Sequence, residues 1–409
     1  MIIIGVIVAI LMFMIIIIIH ELGHFLAARI FGVKVEEFGL GIPPFAKEIF
    51  TDKKGTKYTL NCDLPLGGFV RLKGENNSPH LIKEGLGVVN ENDKFIDKNY
   101  FEKAIILLGG VFMNFLLAII IFSILFFVGV KPIGINSQIE TDLNVKIIPT
   151  QKQALDSGLL EKKEGILLYP VENSIAEKSG IKKGDLLLKV NNKKIESPEK
   201  LIKFIGENAG KELIFEISRK SEQSTEGFSP LQNIKIKIGE NGKIGAYLSE
   251  NIQVNKDFKY KYGLLNSVKY GIFETYNQSL LTLKGIGILG QKIFNPKDKE
   301  ERGEALDNMK GPIGIVDLVA NSIKGGLIFL LILSAIISIN LGVFNLLPIP
   351  ALDGGRLLLL SINTFLKKIF GDKINTNYFE NILHILFFII LIALSLIIGY
   401  NDVINIINR

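Results

Sequence analysis

Ile15-Ile-Ile-Ile-Ile-His20-Glu21-Leu22-Gly23-His24-Phe25-Leu26-Ala27-Ala28-Arg29 joins a His-Glu-x-x-His motif directly to an uncharged apolar run. On a helix, residues four apart share a face, so His20 and His24 can address one metal ion while Glu21 stands beside them as a general base. Met1 to Ile19 carry no charge and, at about 1.5 Å per residue, come close to crossing a hydrocarbon core of about 30 Å. Together the two halves predict a metal site in, or at the edge of, a lipid bilayer. A cleaved signal peptide is the main rival reading of the run; it fits poorly, because no basic n-region precedes the run and its length exceeds a typical h-region.

Working outward, the 409 residues are 48% hydrophobic, and four uncharged blocks carry much of that excess between ordinarily polar stretches. This is the pattern of a membrane protein with a sizeable water-exposed part. The net charge of +6 includes no basic run long enough to suggest nucleic acid. A single cysteine, Cys62, excludes an intrachain disulfide and a thiolate metal cluster. Its reading is a small buried residue.

The blocks divide the chain. Residues 1–32 form a first transmembrane helix carrying the motif. Residues 33–103 read as a β-hairpin or small sheet on the membrane's cytosolic side, followed by a loop. Residues 104–130 form a second span, in which Gly110-Val-Phe-Met-Asn114 reads first as close helix packing. Residues 131–255 form a water-soluble β-rich region with a core at about 160–240. Residues 256–324 read as an amphipathic helix and a charged loop. Residues 325–356 form a third span, 357–380 a cytosolic loop and 381–401 a fourth span. Arg29 and Lys34 follow the first span, and Arg356, Lys367, Lys368 and Lys373 lie between the last two. The positive-inside rule therefore puts both termini outside and His20 near the cytosolic face.

Zinc suits imidazole and carboxylate ligands, and a catalytic site needs three protein ligands. A third histidine six residues after His24 is excluded by Ile30. The candidates are Asp353, Glu36, Glu37 and Glu48. Asp353 is preferred because two prolines, Pro348 and Pro350, break the third span just before it, at the matching membrane depth. Asn345 either donates to substrate backbone or a developing oxyanion, or bonds a carbonyl freed by the break. His80 and His384 are read as a solvated loop residue and an interhelical partner, not as ligands.

These motifs resemble the site-2 protease family, the bacterial zinc metalloproteases of regulated intramembrane proteolysis. His20-Glu21-Leu22-Gly23-His24 matches its HExGH motif, and Asn345-Leu-Leu-Pro348-Ile-Pro350-Ala-Leu-Asp353-Gly354 its Asn-x-x-Pro-x-Pro…Asp-Gly motif. Gly110 to Asn114, Leu66-Gly-Gly-Phe69 and Gly311-Pro-Ile-Gly-Ile315 also look like family stretches, and Ser174 to Asp185 resembles part of a PDZ domain. The resemblance implies a polytopic α-helical membrane protein with about four transmembrane helices. It adds a membrane-associated β-hairpin or sheet and an extracytoplasmic PDZ-like α+β domain. It implies Zn2+ on His20, His24 and Asp353, Glu21 as base and Asn345 as a substrate-positioning residue. Asn114, Pro348, Pro350 and Gly68 would lie on the substrate side. The expected substrates are single-span membrane proteins, either a regulator or a signal-peptide remnant, cut in the inner (plasma) membrane. The alternative is a membrane-anchored PDZ scaffold with a non-catalytic metal motif. Some family members carry two PDZ domains, and only one is recognisable in this chain.

Overall fold

The computed structural model describes residues 2–41, 47–61, 67–75, 93–136, 139, 141–219, 231–307, 309–371 and 377–407. The expectations for Cys62, Leu66 and His80 lie outside the described residues. The chain forms two compact units, one of residues 1–148 and 260–409, the other of residues 149–259.

The first unit opens with α1 (Ile2–Ile30). Apolar residues surround this helix, so hydrophobicity alone does not orient it; residue size does. Gly5, Ala9, Met12, Ile16, His20, Gly23 and Ala27 form one buried stripe, while Ile3, Ile7, Leu11 and Ile15 stand exposed on another. The histidine pair thus extends the packed face of the helix. After α1 come β1 (Val35–Leu40), β2 (Lys47–Thr51), β3 (Lys57–Leu60) and β4 (Gly68–Leu72). They form a four-stranded sheet in the order β2-β3-β1-β4, with β1 parallel to β3 and antiparallel to β4. Arg29, at the end of α1, donates to Asp52 and Thr56 at 2.6 Å, and the Thr56 hydroxyl donates to the Val35 carbonyl at 2.7 Å. Ala27, Ala28, Val33, Val35, Leu72 and Ile106 form a small core beneath this join.

Next is α2 (Tyr100–Val128), which starts four residues before the expected span because Asn99 and Glu102 make a capping box. Its crossing with α1 is very close. A Cβ on Gly23 would lie 2.1 Å from the Gly109 carbonyl oxygen, and one on Gly109 would lie 2.5 Å from that of Gly23. Small residues permit this approach.

The second unit contains α3 (Gln151–Asp156), β5 (Leu160–Pro170), α4 (Ile175–Lys178), β6 (Asp185–Val190), β7 (Lys193–Lys194), α5 (Pro198–Glu207), β8 (Glu212–Ser218), β9 (Gln232–Lys237) and β10 (Ala246–Val254). Its main strands run antiparallel in the order β10-β5-β6-β8-β9. Ser197 caps α5 and Pro198 occupies its first turn. Leu201 and Ile205 of that helix pack on Leu187, Val190, Phe215 and Ile217. Buried Asp185 takes two bonds from the Arg219 guanidinium, at 2.7 and 2.8 Å. The sequence reading did not foresee β10, whose residues lack a clean alternation.

The second unit begins later in the chain than the region expected at 131–255. Residues 131–148 belong to the first unit, where Val130 bridges Tyr260 and Ile133 bonds Ile147. The backbone N–H groups of Lys146 and Ile147 donate to the fully buried carboxylate of Glu274.

The first unit resumes with α6 (Leu264–Phe294), α7 (Lys299–Asp307), α8 (Pro312–Ser322), α9 (Gly326–Leu346), α10 (Asp353–Phe370) and α11 (Asn377–Ile407). The expected charged loop is partly helical (α7), and the expected cytosolic loop 357–380 contains most of α10. There Leu358, Ile362, Phe365 and Ile369 recur at helical spacing and Lys367 and Lys368 close the last turn. Buried residues of α2 and α9 share one core, including Ala118, Phe122, Ile339 and Val343. A second core joins α1, α8 and α9 through Ala9, Met12, Ile16, Val319 and Leu333. Among the described residues, Ile3–Ile30, Tyr100–Val128, Gly326–Leu346 and Ile382–Ile407 are long and apolar enough to cross a membrane.

Candidate metal centre

Two elements supply the donor atoms: α1 carries His20 and His24, one turn apart, and the first residue of α10 is Asp353. Between α9 and α10 the chain is extended at Leu347 and turns through Pro348 and Pro350, neither of which suits a helix interior. Helix α10 then folds back onto the break. A Cβ on Gly354 would lie 2.3 Å from the Leu346 carbonyl oxygen, and one on Gly355 would lie 1.9 Å from that of Ile349. The Asp-Gly-Gly sequence is therefore a steric requirement of the turn that aims Asp353 at α1. An acidic residue in the first turn also suits the positive end of the helix dipole.

His20 Nε2 lies 3.3 Å from His24 Nε2, and these atoms lie 3.2 and 3.4 Å from Asp353 Oδ2. His24 Nδ1 sits 2.8 Å from the Ile106 carbonyl oxygen, which can only accept. Its proton is therefore on Nδ1 and Nε2 presents a lone pair. Asp353 Oδ2 is buried with no hydrogen-bond donor. His24 Nε2 and Asp353 Oδ2 are both acceptors, and at this separation they repel one another unless a proton or cation lies between them. The spacing of the three ligand atoms is close to the edge of about 3.3 Å expected for a tetrahedron with ligand distances of about 2.0–2.1 Å. The donor set thus fits zinc.

Gly110 makes room for this cluster. A Cβ there would lie 2.4 Å from His24 Nε2 and 2.7 Å from His20 Nε2. The Gly-x-x-x-Asn spacing, first read as helix packing, instead puts its glycine against the imidazoles; the tight helix crossing falls to Gly109 and Gly23. Neither Gly110 nor the Ile106 carbonyl was anticipated as part of the site. Residue type carries no signal for a backbone acceptor.

A cavity of about 370 Å³ opens beside the cluster, lined by His20, His24, Asp353, Glu21, Asn345 and Gly68 among others. Gly68 lies so close to Glu21 that a Cβ would stand 2.8 Å from its Cγ. Phe69, Val70 and Leu72 of β4 also line the cavity, and the strand order leaves β4 at the end of its sheet. At the rim, Arg356 donates to Glu75 at 2.8 Å. Pro348, Pro350 and Asn114 are not among the lining residues. The other candidate ligands are placed differently: Glu36 is exposed on β1, Glu37 pairs with Arg71 and accepts from Thr59, and Glu48 pairs with Lys57 and accepts from Thr51.

Two histidines and a carboxylate with ligand atoms this close, beside Glu21 and among apolar helices long enough to span a bilayer, are the donor set and base of a membrane-embedded metallopeptidase. Residues 8–394 match peptidase family M50, and the chain belongs to that family, the site-2 proteases. A Helicobacter pylori (strain J99) protein named as a zinc metalloprotease is 34% identical over 86% of this chain and 87% of its own. The zinc metalloprotease RasP of Geobacillus kaustophilus is 28% identical over 94% of both chains. The regulator of sigma E protease of Haemophilus influenzae is 27% identical over 88% of this chain and 90% of its own. The chain is accordingly a zinc metalloendopeptidase of the site-2 protease type and a multi-pass protein of the inner membrane. Its class acts in regulated intramembrane proteolysis.

Proposed function

We propose that this protease cuts transmembrane segments of single-span membrane proteins near the cytosolic face, holding the substrate as a strand added to the free edge of β4. The observation that carries this is the position of β4. Among the described residues β4 pairs with β1 alone, and Gly68, Phe69, Val70 and Leu72 of β4 line the cavity that holds His20, Glu21, His24 and Asp353. A helical substrate hides its peptide bonds, and an added strand would keep an unwound segment extended through main-chain hydrogen bonds. His20 and His24, through Nε2, and Asp353, through its carboxylate, would hold zinc. When bound, zinc lowers the pKa of a coordinated water to near 7 and polarises a carbonyl. Glu21 would take the proton from the attacking water as its oxygen bonds to the scissile carbonyl carbon, and return a proton to the leaving amide nitrogen as the C–N bond breaks. Asn345, on the cavity wall, would donate to the substrate backbone, with Gly68 admitting it closely beside Glu21 and Pro348 and Pro350 shaping the turn behind Asp353.

The positive-inside rule supports extracytoplasmic termini, and in this arrangement the 149–259 unit is a PDZ-like domain outside the membrane. The sigma E regulator relative supports a regulatory membrane protein as substrate; a signal-peptide remnant has the same single-span form. The test is Glu21→Gln in the full-length protein, assayed in detergent with zinc on a single-span substrate. Loss of a general base lowers the rate by about 10²–10⁴-fold. Undiminished cleavage would sink the mechanism.

A further inference from the structure

Each imidazole of the cluster has a second nitrogen, Nδ1, facing away from it. For His24 that nitrogen donates to the Ile106 carbonyl of α2. For His20 it faces Asn114, two helical turns further along α2, with Asn114 Nδ2 at 3.1 Å. The Asn114 side chain is fully buried, and its Oδ1 has no hydrogen-bond partner. Its backbone is held from α9, where Ser338 Oγ donates to the Asn114 carbonyl at 2.9 Å.

We propose that Asn114 is a positioning residue for His20: its carboxamide oxygen accepts the Nδ1–H of His20, and this fixes Nε2 as the metal-binding lone pair. The two ends of a carboxamide are nearly equal in size, and a half-turn about its C–C bond exchanges them. Only one orientation serves a metal site. With the NH2 end towards the ring, Nδ1 must be bare and the ring proton must sit on Nε2, pointing into the three-atom cluster. With the oxygen towards the ring, Nδ1 carries the proton and Nε2 is free to bind. The buried oxygen then gains the donor it lacked. Outer-sphere acceptors of this kind set the tautomer and rotation of metal-binding histidines. A neutral amide does so without burying a second negative charge among apolar helices. Helix α2 thus orients both rings, one through a backbone carbonyl and one through a side chain. Asn114 acts through His20 and is not among the residues that line the cavity.

This inference rests on the zinc reading above, and the experiment separates their failures. Zinc affinity is measured on the full-length protein in detergent, by competition with a chelator of known affinity. Asn114→Leu keeps the volume and removes the acceptor; Asn114→Asp keeps acceptors and cannot donate. The expected result is a loss of about 10–100-fold for Asn114→Leu and near wild-type affinity for Asn114→Asp. Unchanged affinity in Asn114→Leu overturns the inference, as does an equal loss in both variants. The wild-type ring supplies a measurement that does not depend on whether the variants fold. In zinc-loaded protein carrying His80→Gln and His384→Gln, nitrogen NMR of the two remaining histidines should show Nδ1 protonated in both; a bare Nδ1 on His20 overturns the assignment. His20→Ala is the control for the underlying reading: zinc bound as tightly as in wild type would overturn the zinc site itself.

Discussion

Gly110→Ala should leave the protein folded and strip it of zinc. The substitution adds one methyl group in the interior of α2, where alanine favours the helix by roughly 0.8–1 kcal/mol over glycine. Yet that methyl would sit 2.4 Å from His24 Nε2 and 2.6 and 2.7 Å from two atoms of the His20 ring, where ordinary contact begins at 3.4 Å. One or both rings must therefore retreat by about 1 Å, several times the roughly 0.2 Å tolerance of a metal–ligand distance. Retreat is opposed, because His24 is tied at Nδ1 to the Ile106 carbonyl and His20 faces Asn114. Zinc affinity should fall at least as far as on loss of an outer-sphere partner, on the order of 100-fold. The assay is zinc content after dialysis against chelator-buffered zinc, with far-ultraviolet circular dichroism reporting the fold. Gly287→Ala on α6, where a Cβ meets nothing within 4 Å, is the control. Wild-type zinc content and affinity in Gly110→Ala would refute the argument that this glycine is the space in which the cluster sits.

Gly23→Ala should act on stability first, because its Cβ would stand 2.1 Å from a backbone oxygen of α2 that no rotamer change can move; overpacking of this kind costs about 1–3 kcal/mol or more, read as a lower melting temperature in detergent. Chelation should abolish peptidase activity, and zinc should restore it, followed by cleavage of a single-span substrate. Burial holds the Glu274 carboxyl above its ordinary value of 4.5, against the hydrogen bonds it accepts and the attraction of Lys146. Its folded pKa being raised, the stability this group contributes is full below the ordinary value and is lost as pH rises through the folded value, so Glu274→Gln should flatten the fall of melting temperature over that window. Asp185→Ala removes the buried acceptor of two Arg219 hydrogen bonds and should cost roughly 1–2 kcal/mol, since the partly exposed Arg219 can turn to solvent, measured by urea titration with tyrosine fluorescence.

The helical spans were legible because their signal is local: an uncharged run of sufficient length needs no tertiary information to be read. Their ends were not. Asn99 and Glu102 extend α2 towards its N-terminus through a cap, and Asp353 begins a new helix instead of ending the third span, because Gly354 and Gly355 fold it back on the break. Residues 131–148 follow a span and are polar, so local sequence groups them with the region after it. Buried Glu274, more than a hundred residues away, claims their backbone N–H groups for the membrane unit.

By itself the sequence determined the donor chemistry. His20, Glu21 and His24 share a face because of helical period, and two prolines near Asp353 ensure a break where a carboxylate can turn inward. Those facts follow from spacing and residue type. Only the tertiary structure shows that Asp353 Oδ2 comes within 3.2 and 3.4 Å of the histidine nitrogens and that the Ile106 carbonyl faces the His24 ring. It also decided that Gly110 is the space beside the two rings. Asp353 arrives through the fold-back at Gly354 and Gly355, whereas the ring contacts and the space at Gly110 depend on how closely α1 approaches α2, a distance set by a reciprocal contact between the backbones at Gly23 and Gly109. A glycine shows that a close approach is possible; the position of the partner backbone decides what it approaches.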